Sequence, residues 1–170
     1  MALVVIDMQT DFGCHNSTVD AVIKEIRRAI SRGETIWNVT FNDCGKTIWR
    51  VQQELRKSSK LYRIRKNNCG GGKELARAMQ RNGFMHRLRH VRFVGIYEDA
   101  CVLETAVEFG KETKNSEIQI SVLRHACELG SSRLYAHDRK RAARHGVQFV
   151  GDPSESSKLS PTWEELDRLL

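Results

Sequence analysis

Proline is nearly missing from this chain, with two in 170 residues. No apolar run approaches the ~18 residues that a membrane helix requires. The first apolar residues, Ala2 to Ile6, carry no basic flank, so they are expected to form a first strand and not a secretory leader. The five cysteines (Cys14, Cys44, Cys69, Cys101 and Cys127) are irregularly spaced and include no C-x-x-C pair. An odd set of that kind argues against a disulfide framework or a structural zinc site, and points to a reducing, cytoplasmic setting. No repeat and no compositional boundary occurs, so a single domain over 1–170 is expected, with 151–170 forming a polar loop and a short helix begun by Pro161.

Positive charge is in excess. Lys and Arg number 28 against 21 Asp and Glu, a net charge of +7, with clusters at Arg87–Arg92 and Arg139–Arg144. A basic face can bind nucleic acid or steer an anionic substrate. The charge comes without aromatic interleaving or a nucleic-acid motif, so a solvated face is the expected reading and nucleic acid is not an expected partner.

Apolar runs of strand length alternate with helical periodicity along the chain. Strands are predicted at Ala2–Ile6, Thr35–Phe41, Leu61–Arg65, Val91–Ile96, Ile118–Leu123 and Val147–Val150. Helices are predicted from a Ser17 or Thr18 cap to Gly33, at Thr47–Arg56, Lys73–Asn82, Asp99–Lys111 and from about Ser131 to Arg144. Continuous apolar strands alternating with helices imply a three-layer α/β/α fold around a mainly parallel, six-stranded Rossmann-like sheet.

In such folds ligands bind beyond the carboxyl ends of the strands. Asp7, Lys66 and Cys101 all fall in strand-tip segments. Each has a plain alternative: a capping aspartate, a surface lysine, a packed thiol. Together they suggest a carboxylate for proton transfer, a thiol nucleophile and an ammonium that favours both charged forms. Cys101 is expected in the first turn of a helix, where the dipole and free N–H groups lower a thiol's pKa. Phe12, Asn42 and Glu98 lie in the same strand-tip segments and are the candidate substrate contacts. The Cys69-Gly70-Gly71-Gly72 run beside Lys66 lacks phosphate-loop spacing and is read as a flexible loop.

The stretch Leu3-Val-Val-Ile-Asp7-Met-Gln9-Thr-Asp-Phe12 resembles the opening signature of the isochorismatase-like cysteine hydrolases. Arg65-Lys66 resembles that family's lysine segment, and Val94-Gly-Ile-Tyr97-Glu-Asp-Ala-Cys101-Val102 with Thr105-Ala106 resembles its nucleophile signature. The likeness runs from about Ala2 to Val150. It implies an Asp7–Lys66–Cys101 triad, an oxyanion hole from the N–H groups of Tyr97 and Cys101, a cis peptide at Ile96–Tyr97, and a homo-oligomer, dimer or tetramer. It further implies a hydrolase that cleaves a C–N bond in a small amide or ureido-type molecule through a covalent intermediate on Cys101. Vinyl-ether hydrolysis and a non-catalytic binding module with a basic surface are the alternatives.

The chain departs from the family at several points. Metal-dependent nicotinamidases carry an Asp-x-His motif after the second strand, where this chain reads Thr40-Phe-Asn42-Asp43-Cys44 with no histidine until His86. Cys14, His15 and Cys44 have no ligand-like spacing either, so no metal and no cofactor is expected. Glu98 replaces a usual threonine, His125 replaces a usual aspartate, and Tyr97 is bulky at the oxyanion position.

Overall fold

The computed structural model describes residues 1–130 and 136–151. Among them run β1 Ala2–Ile6, α1 Asn16–Ser31, β2 Thr35–Phe41, α2 Trp49–Leu55, β3 Leu61–Lys66, α3 Gly72–Arg81, β4 His90–Gly95, α4 Leu103–Glu112, β5 Gln119–Cys127, α5 Ala136–Arg144 and β6 Val147–Val150. The start expected for the fifth helix, residues 131–135, and the expected helix at 161–170 lie outside the described residues. The six strands form one sheet in the order β3-β2-β1-β4-β5-β6, every neighbouring pair parallel.

Parallel strands buried on both faces explain the unbroken apolar runs, and the period of two divides them between two cores. Val4, Ile6, Trp37, Val39 and Phe93 pack with Leu75, Met79, Ala106 and Phe109 of α3 and α4. Leu3, Val5, Ile36 and Val94 pack with Val22, Ile23, Ile26 and Ala29 of α1 and with Val51 and Leu55 of α2. The strand order reverses at β1, which lies between β2 and β4, so the tips of β1 and β4 flank the switch point of the sheet.

Two local features aim the chain at that point. Gly95 ends β4 at φ 131, and a Cβ there would sit 2.0 Å from the Ile6 carbonyl oxygen, so a side chain would push β4 away from β1. Beyond it the register with β5 slips: Phe93 pairs with Val122, but Gly95 pairs with Cys127. This bulge explains why β5 runs four residues past its expected end at Leu123.

The first helix is capped differently from expectation. Its N-cap is His15, whose own side chain caps nothing. The carboxylate of Glu128 serves instead, accepting from the His15 N–H at 3.0 Å and from the Thr18 hydroxyl at 2.7 Å. A capping group 113 residues away in the chain leaves no local sequence signature.

The Arg87–Arg92 cluster is also not one solvated face. Arg87 and Arg89 are exposed, while His90 and Arg92 are buried. Arg92 bridges Glu25 of α1, at 3.0 Å, and Glu34, at 2.6 Å. Burial works against the ionised form of Glu25. The hydrogen bond with His125 and the charges of Arg28 and Arg92 outweigh it, and they hold the carboxyl at about 2. A depressed folded-state pKa means a contribution to stability that is complete above the ordinary glutamate value of 4.5 and is lost as pH falls toward 2. Urea melts at pH 6 and pH 3 are expected to show a loss of about 2 kcal/mol from this group, much of it abolished in Glu25→Gln.

Candidate active site

Asp7 follows β1 directly, in the left-handed region at φ 50, and its N–H donates to the Val39 carbonyl at 2.9 Å. Lys66 is the last residue of β3, one residue beyond the expected end of that strand. Its Nζ lies 2.7 Å from Asp7 Oδ2, with both side chains 0% exposed. The same ammonium donates to the Cys69 carbonyl and sits 5.2 Å from the centre of the Phe41 ring. Burial raises the Asp7 carboxyl above its usual range, opposed by the Lys66 charge and by hydrogen bonding from Lys66 and Cys101. A carboxylate whose pKa lies above the usual range is a stronger proton acceptor than a free one, and it is suited to taking a proton and returning it.

Cys101 does not open an α-helix. It sits in a π-helical turn, Glu98–Val102, in which the Tyr97 carbonyl accepts from both the Ala100 N–H at 3.1 Å and the Val102 N–H at 3.0 Å. The α-helix begins only at Leu103. Such widened turns recur at functional sites because they re-aim side chains without breaking the helix. The Ile96–Tyr97 peptide is cis.

The Sγ of Cys69 lies 3.5 Å from that of Cys101. The hydrogen bond from Cys101 and the charge of Lys66 push the Cys69 thiol down to about 7 against its partial burial. The same hydrogen bond, together with burial, pushes Cys101 up, and Lys66 opposes the rise. The two thiols titrate as a coupled pair, in which either sulfur can donate to the other.

Close contact constrains the glycines after Cys69, Gly72 most of all because it faces backbone atoms. A Cβ on Gly70 would meet the Glu108 carboxylate at 2.4 Å, and one on Gly72 would meet the Thr105 carbonyl and the Phe109 nitrogen at 2.3 Å. Thr105, fully buried, closes the arrangement. Its hydroxyl donates to the Cys101 carbonyl at 2.6 Å and accepts from the Gly71 N–H at 3.2 Å. Gln9 makes the equivalent tie on the other side. Its Oε1 accepts from the Phe41 N–H at 2.7 Å, and its Nε2 donates to the carbonyls of Phe41 and Cys44. Cys69, Thr105 and Gln9 all lie in strand-tip or signature segments of the sequence, but their spacing alone assigns them no task.

The candidate substrate contacts are placed differently. Phe12 packs edge-on against Tyr97, ring centres 6.4 Å apart. Asn42 is half-buried, with its side-chain amide donating to Asn67. Glu98 is not open to a substrate: its side chain is 2% exposed, and Oε1 accepts from Arg124 Nε at 2.8 Å. The bulge in β5 is what carries Arg124 to it.

An open cleft of about 620 Å³ adjoins the cysteine turn, lined by Gly13, Cys14, His15, Tyr97, Asp99, Ala100, Glu128, Leu129 and Gly130. It borders the Asp7–Lys66–Cys101 cluster through Tyr97 and Ala100, without including the three residues themselves. Among the described residues no group of three His, Cys, Asp or Glu side chains is arranged to hold a metal ion. Likewise no helix there is long and apolar enough to cross a membrane.

No protein-family model matches the sequence, and a search of curated proteins finds no match. Solved structures do match. N-carbamoylsarcosine amidase from Thermoplasma acidophilum superposes with a TM-score of 0.64 at 20% identity, over 87% of this chain and 94% of its own. The nicotinamidase from Staphylococcus aureus gives 0.63 at 17%, over 87% and 97%. The MAR1 ribonuclease from Caenorhabditis elegans gives 0.67 at 15%, over 99% of this chain and 88% of its own. This chain has the fold that these amidases and the ribonuclease share, the α/β/α architecture implied by its resemblance to the isochorismatase-like cysteine hydrolases.

Proposed function

We propose that the chain hydrolyses a C–N bond in a small amide or ureido-type substrate, with Cys101 as the nucleophile. The observation that carries this reading is the fully buried Asp7–Lys66 ion pair set against the Cys101 thiol at the switch point of the sheet. Asp7 takes the Cys101 proton, and the sulfur adds to the substrate carbonyl carbon. The N–H groups of Tyr97 and Cys101 bind the oxygen as it gains charge. Asp7 then passes the proton to the leaving nitrogen, and the C–N bond breaks to leave a thioester. Water, losing a proton to Asp7, hydrolyses the thioester and frees Cys101. Lys66 holds the carboxylate in place and stabilises negative charge on sulfur. The similar amidase structures support this reading at the level of their fold.

A second reading has its own observation. One structure that superposes over 99% of this chain is a ribonuclease. A groove of about 570 Å³ between β3 and α3 is lined by Arg63, Arg65, Arg77 and Arg81 against the single carboxylate of Glu74, a net positive charge suited to a phosphodiester backbone.

One experiment separates the readings. Wild type and Cys101→Ala are assayed on a panel of small amides, ureides and vinyl ethers, together with a single-stranded RNA oligonucleotide. The amidase reading expects turnover of an amide or ureide that falls at least about a thousandfold in Cys101→Ala. Turnover of a vinyl ether retained in Cys101→Ala moves the assignment to that chemistry, and RNA cleavage moves it to the second reading. No turnover of any substrate leaves a binding module.

A further inference from the structure

We propose that Cys69 and Cys101 form a redox-active dithiol, a modification site that hydrogen peroxide converts into an intramolecular disulfide. The inference concerns the same site as the proposed hydrolase, but it rests on the geometry of the two sulfurs and not on any turnover.

The two sulfurs are already in contact at 3.5 Å, although 32 residues separate them in the chain. Bond formation needs an approach of roughly 1.5 Å to the ~2.05 Å of a disulfide. Cys69 is exposed and Cys101 partly so, which gives a small oxidant access to the pair. The anchoring around the pair keeps the sulfurs facing each other, because Lys66 holds the Cys69 carbonyl and Thr105 links the Cys101 carbonyl to the Gly71 N–H.

Cys14 and Cys127 lack these conditions. Burial and the Glu128 carboxylate push Cys14 up to about 12, and complete burial pushes Cys127 up. Cys69, held at about 7, carries appreciable thiolate at neutral pH, and thiolate content governs the rate of oxidation.

The chemistry balances in two steps. The Cys69 thiolate attacks one oxygen of hydrogen peroxide and the O–O bond breaks. The departing hydroxide takes a proton to become water, leaving Cys69 as the sulfenic acid. The sulfur of Cys101 then attacks the sulfur of Cys69. The S–O bond breaks, and hydroxide leaves with the Cys101 proton as a second water. Two thiols are oxidised and one peroxide is reduced. A dithiol reductant reverses the product, so the nucleophile is withdrawn without reaching the irreversible sulfinic state.

The test reads covalent state and not activity, so its failure is distinct from failure of the hydrolase reading. The full reduced chain is treated with one equivalent of hydrogen peroxide, its free thiols are alkylated, and non-reduced peptides are mapped by mass spectrometry. The expected product is a Cys69–Cys101 linked peptide that disappears after dithiothreitol. In Cys69→Ser, with its fold checked by circular dichroism, the reaction with peroxide is expected to slow by about tenfold or more and no linkage to Cys101 to form. Recovery of Cys69 and Cys101 as free thiols overturns the proposal, as does oxidation of Cys101 beyond the sulfenic state without linkage. Linkage of either one to Cys14, Cys44 or Cys127 overturns it equally.

Discussion

Lys66→Met is expected to cut turnover at pH 7 by at least about a hundredfold while leaving a folded protein. Methionine follows the lysine chain as far as Cε and removes its charge. Burial is the largest influence on Asp7 and raises its pKa, and the Lys66 ammonium is the strongest influence against it. With that charge gone, the carboxyl pKa rises further and Asp7 becomes neutral in the pH range where it must accept a proton. The acid limb of the pH–rate profile therefore shifts to higher pH, and part of the lost activity returns as pH is raised. Protonation also limits the structural damage, because a neutral carboxyl is far cheaper to bury than a lone carboxylate. A pH–rate profile and a urea melt on the same sample check both parts. Adding Asp7→Asn is expected to recover stability and to recover no activity. A profile that falls in height with no shift of its acid limb would contradict the assigned role of Lys66.

Arg92→Met is the counterpart on the side of stability. Arg92 lies in the middle of β4, paired in register with Leu3 of β1, and it is the shared cation for Glu25 and Glu34. Glu25 keeps Arg28 at 2.6 Å and His125 at 3.2 Å, so the ion pair of Glu34 with Arg92 is the larger loss. Breaking a buried ion pair by removing one partner costs about 3–5 kcal/mol. That figure is the expected loss in a urea melt at pH 7. The triple variant with Glu25→Gln and Glu34→Gln is expected to recover most of it, because no carboxylate is then stranded. A loss under about 1 kcal/mol for Arg92→Met alone would show that water reaches the network.

These two residues mark where the sequence could and could not be read. The strand–helix alternation is legible because the central parallel strands, buried on both faces, are largely apolar. Asp7 is legible because it ends such a run, and Lys66 and Cys101 because they follow strands in segments that resemble the hydrolase signatures. Arg92 and Glu25 were not. A charged residue inside an apolar pattern looks like surface, and the partner that permits its burial lies 67 residues away. Glu98 was read as a substrate contact for the same reason, since the Arg124 that engages it arrives through a bulge no periodicity announces. Cys69 was passed over because its glycine neighbours suggested flexibility. Their actual task, close approach to α4, depends on what lies across the gap.

The place of β1 in the sheet also sets an order of assembly. Its two flanks are closed by different halves of the chain, β2 on one side and β4 on the other. A nascent chain extending only through β3 can already bring Lys66 to Asp7, but it carries no Cys101. The reactive sulfur comes with the segment that follows β4, the strand that covers the second flank of β1. Cys69 emerges just after β3, but its partner sulfur is delivered only with the segment that follows β4, so a three-stranded intermediate can close no Cys69–Cys101 bridge.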